Sequence, residues 1–258
     1  MDAGRFEVIF PLLMKWEDTF SIKFDVSGDK RKVFEDGIYY LEGDNGAGKT
    51  TFLNILALTA GRISKKSIPG RGTVRFNYLA YNGDGLDPLK AADIREKFFC
   101  IYPQKAFFLP VSTRDNYLIL NGSDPEKANQ FSAHQYPDLL SGGQQQQVLM
   151  DIVLDDKKPV WFLDEPLTNL DAERRLYFWN TLRQGYRRAV RTIFFIDHWI
   201  GAQIKQETGF KHRDVLKVTL ENSQGGKEIE VATRQIDIYE CRWPETFFND
   251  QIEKSERE

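Results

Sequence analysis

The chain contains the octamer Gly43-Asp44-Asn45-Gly46-Ala47-Gly48-Lys49-Thr50, which fits the pattern G-x-x-x-x-G-K-[ST] and constrains the fold more than any other stretch. Residues 37–42 before it read as a short buried strand, and residues 51–58 after it have helical apolar spacing. Strand, glycine-rich loop and helix are the context that makes such an octamer a phosphate-binding loop. Glycines let backbone N–H groups approach phosphate oxygens, and the following helix adds the positive end of its dipole.

Two side chains at the end of the octamer add further chemistry. Lys49 can reach the β- and γ-phosphates of a nucleotide. Thr50 offers a hydroxyl to Mg²⁺, a cation that prefers hard oxygen ligands. The alternative is a glycine-rich turn followed by a lysine that fits by chance, because every short motif has false positives. The octamer alone therefore predicts a site for a nucleoside triphosphate with Mg²⁺.

Composition and charge limit the class of protein. The chain has 258 residues, of which 41% are hydrophobic and 28% charged, as in ordinary soluble globular proteins. Its formal net charge of −3 provides no basic surface, so we expect no nucleic-acid partner. The two distant cysteines, Cys100 and Cys241, favour a reducing cytoplasmic compartment without a disulfide. We find neither an apolar run of membrane-spanning length nor a secretory signal, so any membrane role is expected to work through a partner.

Apolar strands alternate with helices in the middle of the chain, which favours a mostly parallel sheet covered on both faces. Residues 6–34 and 73–78 have the character of antiparallel β-structure. We therefore expect an α/β fold with a P-loop NTPase core and an N-terminal antiparallel β subdomain. The predicted main domain covers residues 1–205. Residues 206–258 are predicted to be a β-hairpin extension with a frayed, charged end.

Candidate catalytic groups follow two apolar strands downstream of the octamer. Asp164 ends one of these runs, at the edge where parallel α/β sheets build their sites, and its carboxylate is suited to the Mg²⁺ shell. Glu165 comes next and is placed to polarise a water. His198 follows the strand at 192–196 and is suited to bond a γ-phosphate or the attacking water. Taken singly, an Asp-Glu pair also fits a surface turn and a histidine also fits a structural position.

Further motifs accompany these residues in a fixed order. The order is Gly43–Thr50, Tyr102-Pro103-Gln104, Leu140-Ser141-Gly142-Gly143-Gln144, Val160–Pro166, Leu170-Asp171 and His198. This pattern resembles the ATP-binding cassette (ABC) ATPase family, over residues from about 20 to 200. Its most specific part is residues 140–144, because other P-loop families share the first and fourth motifs but lack this one. The resemblance implies an ATPase with ATP and Mg²⁺ as cofactors, and a compact ABC helical subdomain at about residues 105–150.

The resemblance implies roles within one subunit. Residues 43–50 would be the Walker A loop, with Thr51 also in the ATP site. Asp164 would be the Walker B aspartate and a Mg²⁺ ligand. Glu165 would be the general base or water-orienting carboxylate, and His198 the switch histidine.

Other implied roles concern the γ-phosphate and a second subunit. Gln104 would touch Mg²⁺ and sense the γ-phosphate, which Lys49 also contacts. Leu140–Gln144 would form the signature, of which Ser141–Gln144 would contact ATP held by the opposite subunit, and Asp171 would belong to the D-loop at the dimer interface. The signature chemistry is readable in the residues, because a serine hydroxyl, two glycines and a helix N-terminus suit a phosphate.

The chain departs from the family's pattern at two positions. Gln147 stands where a basic residue is common, and Trp199 stands where a small or acidic residue is usual. The aromatic residue that stacks on adenine is not fixed by any motif. Phe20, which lies 29 residues before Lys49, is our first choice and Trp16 the second. The alternative for Phe20 is a place in the β-core.

The resemblance also implies partners, namely a transmembrane permease subunit and a second ABC ATPase subunit, identical or different. In transporter cassettes, a groove beside the glutamine loop receives a short helix of the membrane subunit. Residues 106–111 follow Gln104 and could line such a groove with Phe107 and Phe108. The alternative is that at least one of these two packs in the helical subdomain's own core. The expected location is cytoplasmic and peripheral, on the inner face of the membrane.

Two other functions stay open at this point. One is a mechanical or regulatory ABC ATPase that controls a membrane-associated enzyme. The other is a soluble ABC ATPase acting on nucleic acid. This last class needs a long coiled-coil or zinc-bearing insertion, and its ribosomal members carry two cassettes in one chain. The sequence shows neither feature.

Overall fold

The computed structural model describes most of the chain, namely residues 5–16, 20–60, 73–77, 79–82, 88–105, 107–120, 125–154, 158–168, 170–188, 190–198, 209–224, 227–242 and 244–257. The expectations for Trp199, Ala106 and the side chain of Trp16 lie outside the described residues. No helix in these ranges is both long and apolar enough to span a membrane.

Strands and helices alternate along the chain. The strands are β1 (Phe6–Ile9), β2 (Leu12–Trp16), β3 (Phe20–Val26), β4 (Arg31–Phe34), β5 (Gly37–Glu42), β6 (Thr73–Phe76), β7 (Leu79–Asn82), β8 (Phe99–Tyr102), β9 (Val160–Asp164), β10 (Thr192–Ile196), β11 (Lys211–Gln224) and β12 (Lys227–Cys241). The helices are α1 (Lys49–Leu56), α2 (Pro88–Phe98), α3 (Thr113–Leu120), α4 (Pro125–Ala128), α5 (Gly142–Val153), α6 (Ala172–Arg188) and α7 (Pro244–Arg257), with a 3₁₀ turn at Pro137–Leu139.

The described strands form two sheets. The larger has the order β2-β3-β11-β12-β5-β10-β9-β8, and its four strands β5, β10, β9 and β8 run parallel. Its other neighbours are antiparallel. The smaller sheet, β4-β1-β6-β7, is antiparallel throughout, as predicted for the N-terminal β-structure. The carboxyl ends of the parallel strands meet at one edge, and the candidate catalytic residues follow those ends.

Each face of the parallel strands packs against its own hydrophobic core. In β9, Val160 and Phe162 face the core shared with α1 and the smaller sheet. Trp161 and Leu163 face the second core, which α5, α6 and α7 complete. Because successive side chains of a strand point to opposite faces, a strand covered on both faces must be apolar throughout. This explains the unbroken apolar runs in β9 and β10.

The C-terminal region differs from the sequence prediction in two respects. The hairpin of β11 and β12 is not appended to the fold, because its two strands pair with β3 and β5 inside the larger sheet. The expected frayed end is wrong, since residues 244–257 form α7. Phe247, Phe248 and Ile252 lie on one buried face of this helix, and the Trp179 and Phe247 rings are 5.5 Å apart. The charges at the chain's end are the solvent side of an amphipathic helix.

Candidate functional site

The phosphate loop joins β5 to α1. Gly48, the residue before the helix, has φ 94°, and a Cβ at this position would lie 2.8 Å from Ile22 Cδ1. Only glycine fits this left-handed conformation and close contact without strain. Because Gly48 has no side chain to cap α1, the first N–H groups of the helix stay available to an anion.

Lys49 begins α1 and is only 8% exposed. Its Nζ donates hydrogen bonds to the carbonyl oxygens of Gly43, at 2.6 Å, and Asp44, at 3.1 Å. Burial lowers the pKa of Lys49, and nearby carboxylates, with Glu165 first among them, oppose this shift. The ammonium group is thus partly desolvated and placed inside the loop, where a phosphate would supply the opposite charge.

Asp164 ends β9, a strand that is paired on both sides by β10 and β8, and its side chain is buried. Its Oδ1 has no hydrogen-bond partner in the described part of the chain. Burial raises the pKa of Asp164, while a hydrogen bond from the Thr50 hydroxyl and the charge of Lys49 oppose the rise. An unpartnered buried carboxylate oxygen is costly, and a cation would satisfy it.

The donor set of Asp164 and Thr50 fits Mg²⁺. A carboxylate and a hydroxyl are hard oxygen ligands, and Mg²⁺ is commonly held by one or two protein groups together with substrate phosphates. The described residues contain no cluster of three or more His, Cys, Asp or Glu side chains that could form an all-protein metal cage. The arrangement therefore suits a cation that arrives with a nucleotide.

Glu165 and His198 come together at the ends of β9 and β10. The register places Ile196 beside Asp164, and the Glu165 N–H donates to the Ile196 carbonyl at 2.7 Å. Glu165 has φ 51°, a left-handed conformation uncommon for a residue with a side chain. Its Oε1 lies 3.1 Å from His198 Nε2. Strained backbone held by its surroundings is typical of catalytic positions, and here it aims a carboxylate at a histidine.

Asp197 is a buried residue of this site that sequence reasoning missed. Its Oδ2 accepts a hydrogen bond from the Leu167 N–H at 3.0 Å, and its carbonyl accepts one from the Tyr40 hydroxyl at 2.6 Å. The side chain therefore ties the end of β10 to the turn that follows Glu165. The available signal was a lone aspartate between an apolar strand and a candidate catalytic histidine.

Asp197→Ala is expected to lower kcat for ATP hydrolysis about tenfold. The change leaves the buried Leu167 N–H without an acceptor, at a cost of about 1–3 kcal/mol, and frees the turn that carries Glu165. KM for ATP should stay unchanged, because the phosphate loop keeps its contacts. Asp197→Asn is the matched control, since its amide oxygen can still accept the bond. Steady-state kinetics of both variants test this, and an unchanged kcat in Asp197→Ala would contradict the positioning role.

Gln104 lies at the same edge of the sheet as Asp164. It follows β8 by two residues, and β8 pairs with β9 so that Tyr102 stands beside Leu163. The Gln104 side chain is exposed. The structure therefore places it at the carboxyl edge of the parallel strands, and its contact with Mg²⁺ stays a prediction.

The signature residues form the N-terminus of α5. Ser141 Oγ accepts from the Gln144 N–H, and the Gln144 side chain accepts from the Ser141 N–H, which makes a capping box. A Cβ on Gly142 would meet nothing within 4 Å. The hydrogen bonds that this segment makes stay within or next to α5, and none among the described residues connects it to residues 43–50. Within one chain, the N-terminus of α5 therefore faces open space, and no hydrogen bond among the described residues links it to the phosphate loop of the same chain.

Asp171 has a local role within its own chain. Its Oδ1 accepts from the Arg174 N–H at 2.9 Å, and its carbonyl accepts from the Arg175 N–H, so it caps α6. It also forms an ion pair with the Arg174 guanidinium. Asp171 is exposed, and its place in a dimer interface remains a prediction.

Phe20 begins β3 and is 37% exposed. It shares a face of the strand with Ile22 and Phe24, whose side chains lie against Gly48. The backbone of Trp16 pairs directly opposite Phe20. The register therefore puts both candidate aromatic positions at the sheet end near the phosphate loop, and the adenine contact itself stays a prediction.

A strand, a glycine-rich phosphate loop and a helix, with an acidic pair at the end of a neighbouring parallel strand, define a P-loop NTPase. A family model described as ABC transporter matches residues 27–168, which is more than half of the chain. The chain therefore belongs to the ABC transporter family and is an ABC-type ATPase.

Individual relatives and structures agree with this family. The chain is 28% identical over 184 residues to the thiamine import ATP-binding protein ThiQ of Vibrio vulnificus, covering 65% of this chain and 72% of ThiQ. It is 25% identical over 190 residues to the translation initiation factor RLI1 of Chaetomium thermophilum, covering 73% of this chain but 28% of RLI1. The ATP-binding cassette MJ0796, in a dimeric post-hydrolysis state with ADP and Pi, superimposes with a TM-score of 0.61 at 17% identity, over 88% of this chain and 97% of that chain. This likeness confirms the predicted fold class.

Proposed function

We propose that the chain is the ATP-hydrolysing subunit of an ABC transporter, which dimerises on ATP and drives a separate transmembrane permease subunit. The observation that carries the transport role is a cavity of about 270 Å³ lined by Pro103, the residue before Gln104, and by Phe107, Leu120 and Leu149 among others. The similarity to an import ATP-binding protein supports the same role. A cytoplasmic position at the membrane surface follows from such a partner.

Hydrolysis would take place by positioning and charge stabilisation. The N–H groups of residues 43–50 and the Lys49 ammonium would bind the phosphates. Mg²⁺, held through Thr50 and Asp164 with Gln104 nearby, would neutralise charge on the phosphate oxygens. Glu165 would accept a proton from the attacking water, and His198, 3.1 Å from it, would hold the carboxylate in position.

Dimerisation would complete each site. The signature at Ser141–Gln144 ends in an open helix N-terminus, which suits the γ-phosphate of ATP bound by another subunit. A second copy of this chain is the simplest partner, because one chain carries both the phosphate-loop half and the signature half. Two copies would then enclose two complete sites.

The groove beside Gln104 has the properties of a docking surface. Phe107 lines the cavity and is 67% exposed, whereas Phe108 packs against two buried clusters. Phe108 therefore has the core position that the sequence left open, and the groove role of Phe107 stays a prediction. An exposed aromatic side chain that lines a surface cavity can contribute a large share of the binding energy of an interface. We infer that a short helix of the permease subunit would bury Phe107 here.

Phe107→Glu tests the transport proposal through co-purification with an integral membrane protein. We expect the wild-type chain to retain such a partner and the variant to bind it about 30-fold less, as for a residue worth about 2 kcal/mol in an interface. ATP binding should be unchanged. Val231→Glu is the matched control, because Val231 is 58% exposed on β12, away from the β8 edge. Equal retention of the partner by Phe107→Glu, or a partner that is nucleic acid, would contradict the proposal.

A further inference from the structure

The C-terminal hairpin contacts the phosphate loop through its second strand, β12. Arg234 on β12 donates a hydrogen bond from Nη1 to the carbonyl oxygen of Asn45. The same nitrogen lies 3.1 Å from the position of a Cβ on Gly46, which has φ 73°. The next residue of β12 meets the start of the loop, since a Cβ on Gly43 would lie 2.7 Å from the Gln235 carbonyl oxygen. Two consecutive residues of β12 thus contact the loop, one at its first residue and one at the Asn45–Gly46 peptide.

The sheet register holds Arg234 in this place. Arg234 pairs with Val218 of β11, and Val218 pairs with Phe24 of β3. Val218 and Phe24 are fully buried, and a Phe24 ring atom lies 3.4 Å from the position of a Cβ on Gly48. Arg234 is therefore the polar end of an apolar row that runs beneath the loop. Its Cα cannot shift without disturbing the core.

The contact controls the direction of one peptide group. The Asn45–Gly46 peptide is planar and trans, so its carbonyl and N–H groups point in opposite directions. Arg234 binds the carbonyl on the side of β12. The Gly46 N–H then points away from β12, and a cation on the carbonyl polarises the peptide and makes this N–H a stronger donor. Inward-pointing N–H groups are what a phosphate loop uses to bind anions.

We propose that Arg234 is a positioning residue for the nucleotide phosphates, and that the C-terminal hairpin is thereby part of the ATP site. The guanidinium holds the Asn45–Gly46 peptide with its N–H toward the phosphates. It also places a permanent positive charge behind a segment with two acids of its own, Glu42 and Asp44. The proposal rests on the role of residues 43–50 as the phosphate loop. Arg234 is 189 residues from Asn45 and belongs to none of the sequence motifs.

Arg234→Ala is the direct test, read by calorimetric titration of the full chain with Mg-ATP and Mg-ADP. We expect about tenfold weaker binding of both nucleotides, as for the loss of the one charge-assisted hydrogen bond from the Gly46 N–H to a phosphate. Both should weaken alike, because both place a β-phosphate in the loop. Arg234→Lys, which keeps a cationic donor, should restore most of the affinity. The melting temperature without nucleotide should not change, because Arg234 is exposed.

Controls separate positioning from a general charge effect. Lys217→Ala removes an exposed cation from the neighbouring strand, on the opposite face of the hairpin, and should leave both affinities unchanged. The loss in Arg234→Ala should persist at 1 M salt, where long-range fields are screened. A loss that disappears at high salt would overturn the positioning role. Wild-type affinity in Arg234→Ala would overturn this proposal alone, whereas a wild-type chain that binds no ATP would overturn the phosphate-loop role as well.

Discussion

Glu165→Gln is expected to lower ATP turnover by about 10²–10⁴-fold, the range that general base catalysis contributes. Glutamine has the shape of glutamate and can still hydrogen-bond His198, but it cannot accept the proton of the attacking water. ATP binding should be retained, because the loop and Lys49 are untouched. Phosphate release from Mg-ATP, measured together with ATP affinity, checks both parts of the prediction.

Glu173→Gln is the control for the loss of one negative charge near this site. Glu173 is exposed in the first turn of α6, eight residues after Glu165. The Glu173→Gln variant should therefore hydrolyse ATP at the wild-type rate. Wild-type turnover in Glu165→Gln would show that another group activates the water. The strained backbone at residue 165 would then need a different explanation.

Lys49→Ala is expected to weaken ATP binding about 100-fold, because two charge-assisted hydrogen bonds to the phosphates are lost in a partly buried site. The structure adds an unusual expectation for the protein without nucleotide. Burial lowers the pKa of Lys49 in the folded state, so its charged form is less favourable there than in the unfolded chain. Because the substitution relieves this cost but also removes the two hydrogen bonds to the Gly43 and Asp44 carbonyls, we expect only a small change in the melting temperature without ATP.

Thermal melting with and without Mg-ATP tests both expectations for Lys49→Ala. A ligand that binds only the folded state raises the melting temperature, and this rise should disappear in the variant. Lys97→Ala provides a control, since Lys97 is exposed and pairs with Asp93 on the surface of α2. An ATP-induced rise equal to that of the wild type would contradict the phosphate-binding role of Lys49.

Much of the site could be predicted from the sequence, because its residues belong to short contiguous motifs or directly follow apolar strands. The glycine positions in residues 43–50 predict the geometry of a phosphate-binding loop. The apolar runs of β9 and β10 require burial on both faces, and parallel strands end at a common edge. The approach of Glu165 to His198 follows from those two facts. Residues 140–144 predict the start of a helix, and the capping box formed by Ser141 and Gln144 confirms it.

Other parts could not be predicted, because they depend on pairing between distant segments. The sequence identifies the hairpin of β11 and β12, but not its position between β3 and β5, and so not the contact of Arg234 with the loop. Asp197 gave only the weak signal of a lone acid. The charges at the end of the chain favour a frayed terminus, but Phe247, Phe248, Gln251 and Ile252 have helical spacing and pack inward.

The central claim is that each phosphate loop is half of a site which the signature of a second subunit completes. Light scattering of the Glu165→Gln variant with Mg-ATP tests it directly, because this variant should trap the closed pair. We expect a mass of twice 29.9 kDa with ATP and 29.9 kDa with ADP. Adding Ser141→Arg, which blocks the helix N-terminus of α5, should return the ATP-bound mass to 29.9 kDa. A Glu165→Gln chain that binds ATP and stays at 29.9 kDa would contradict the claim.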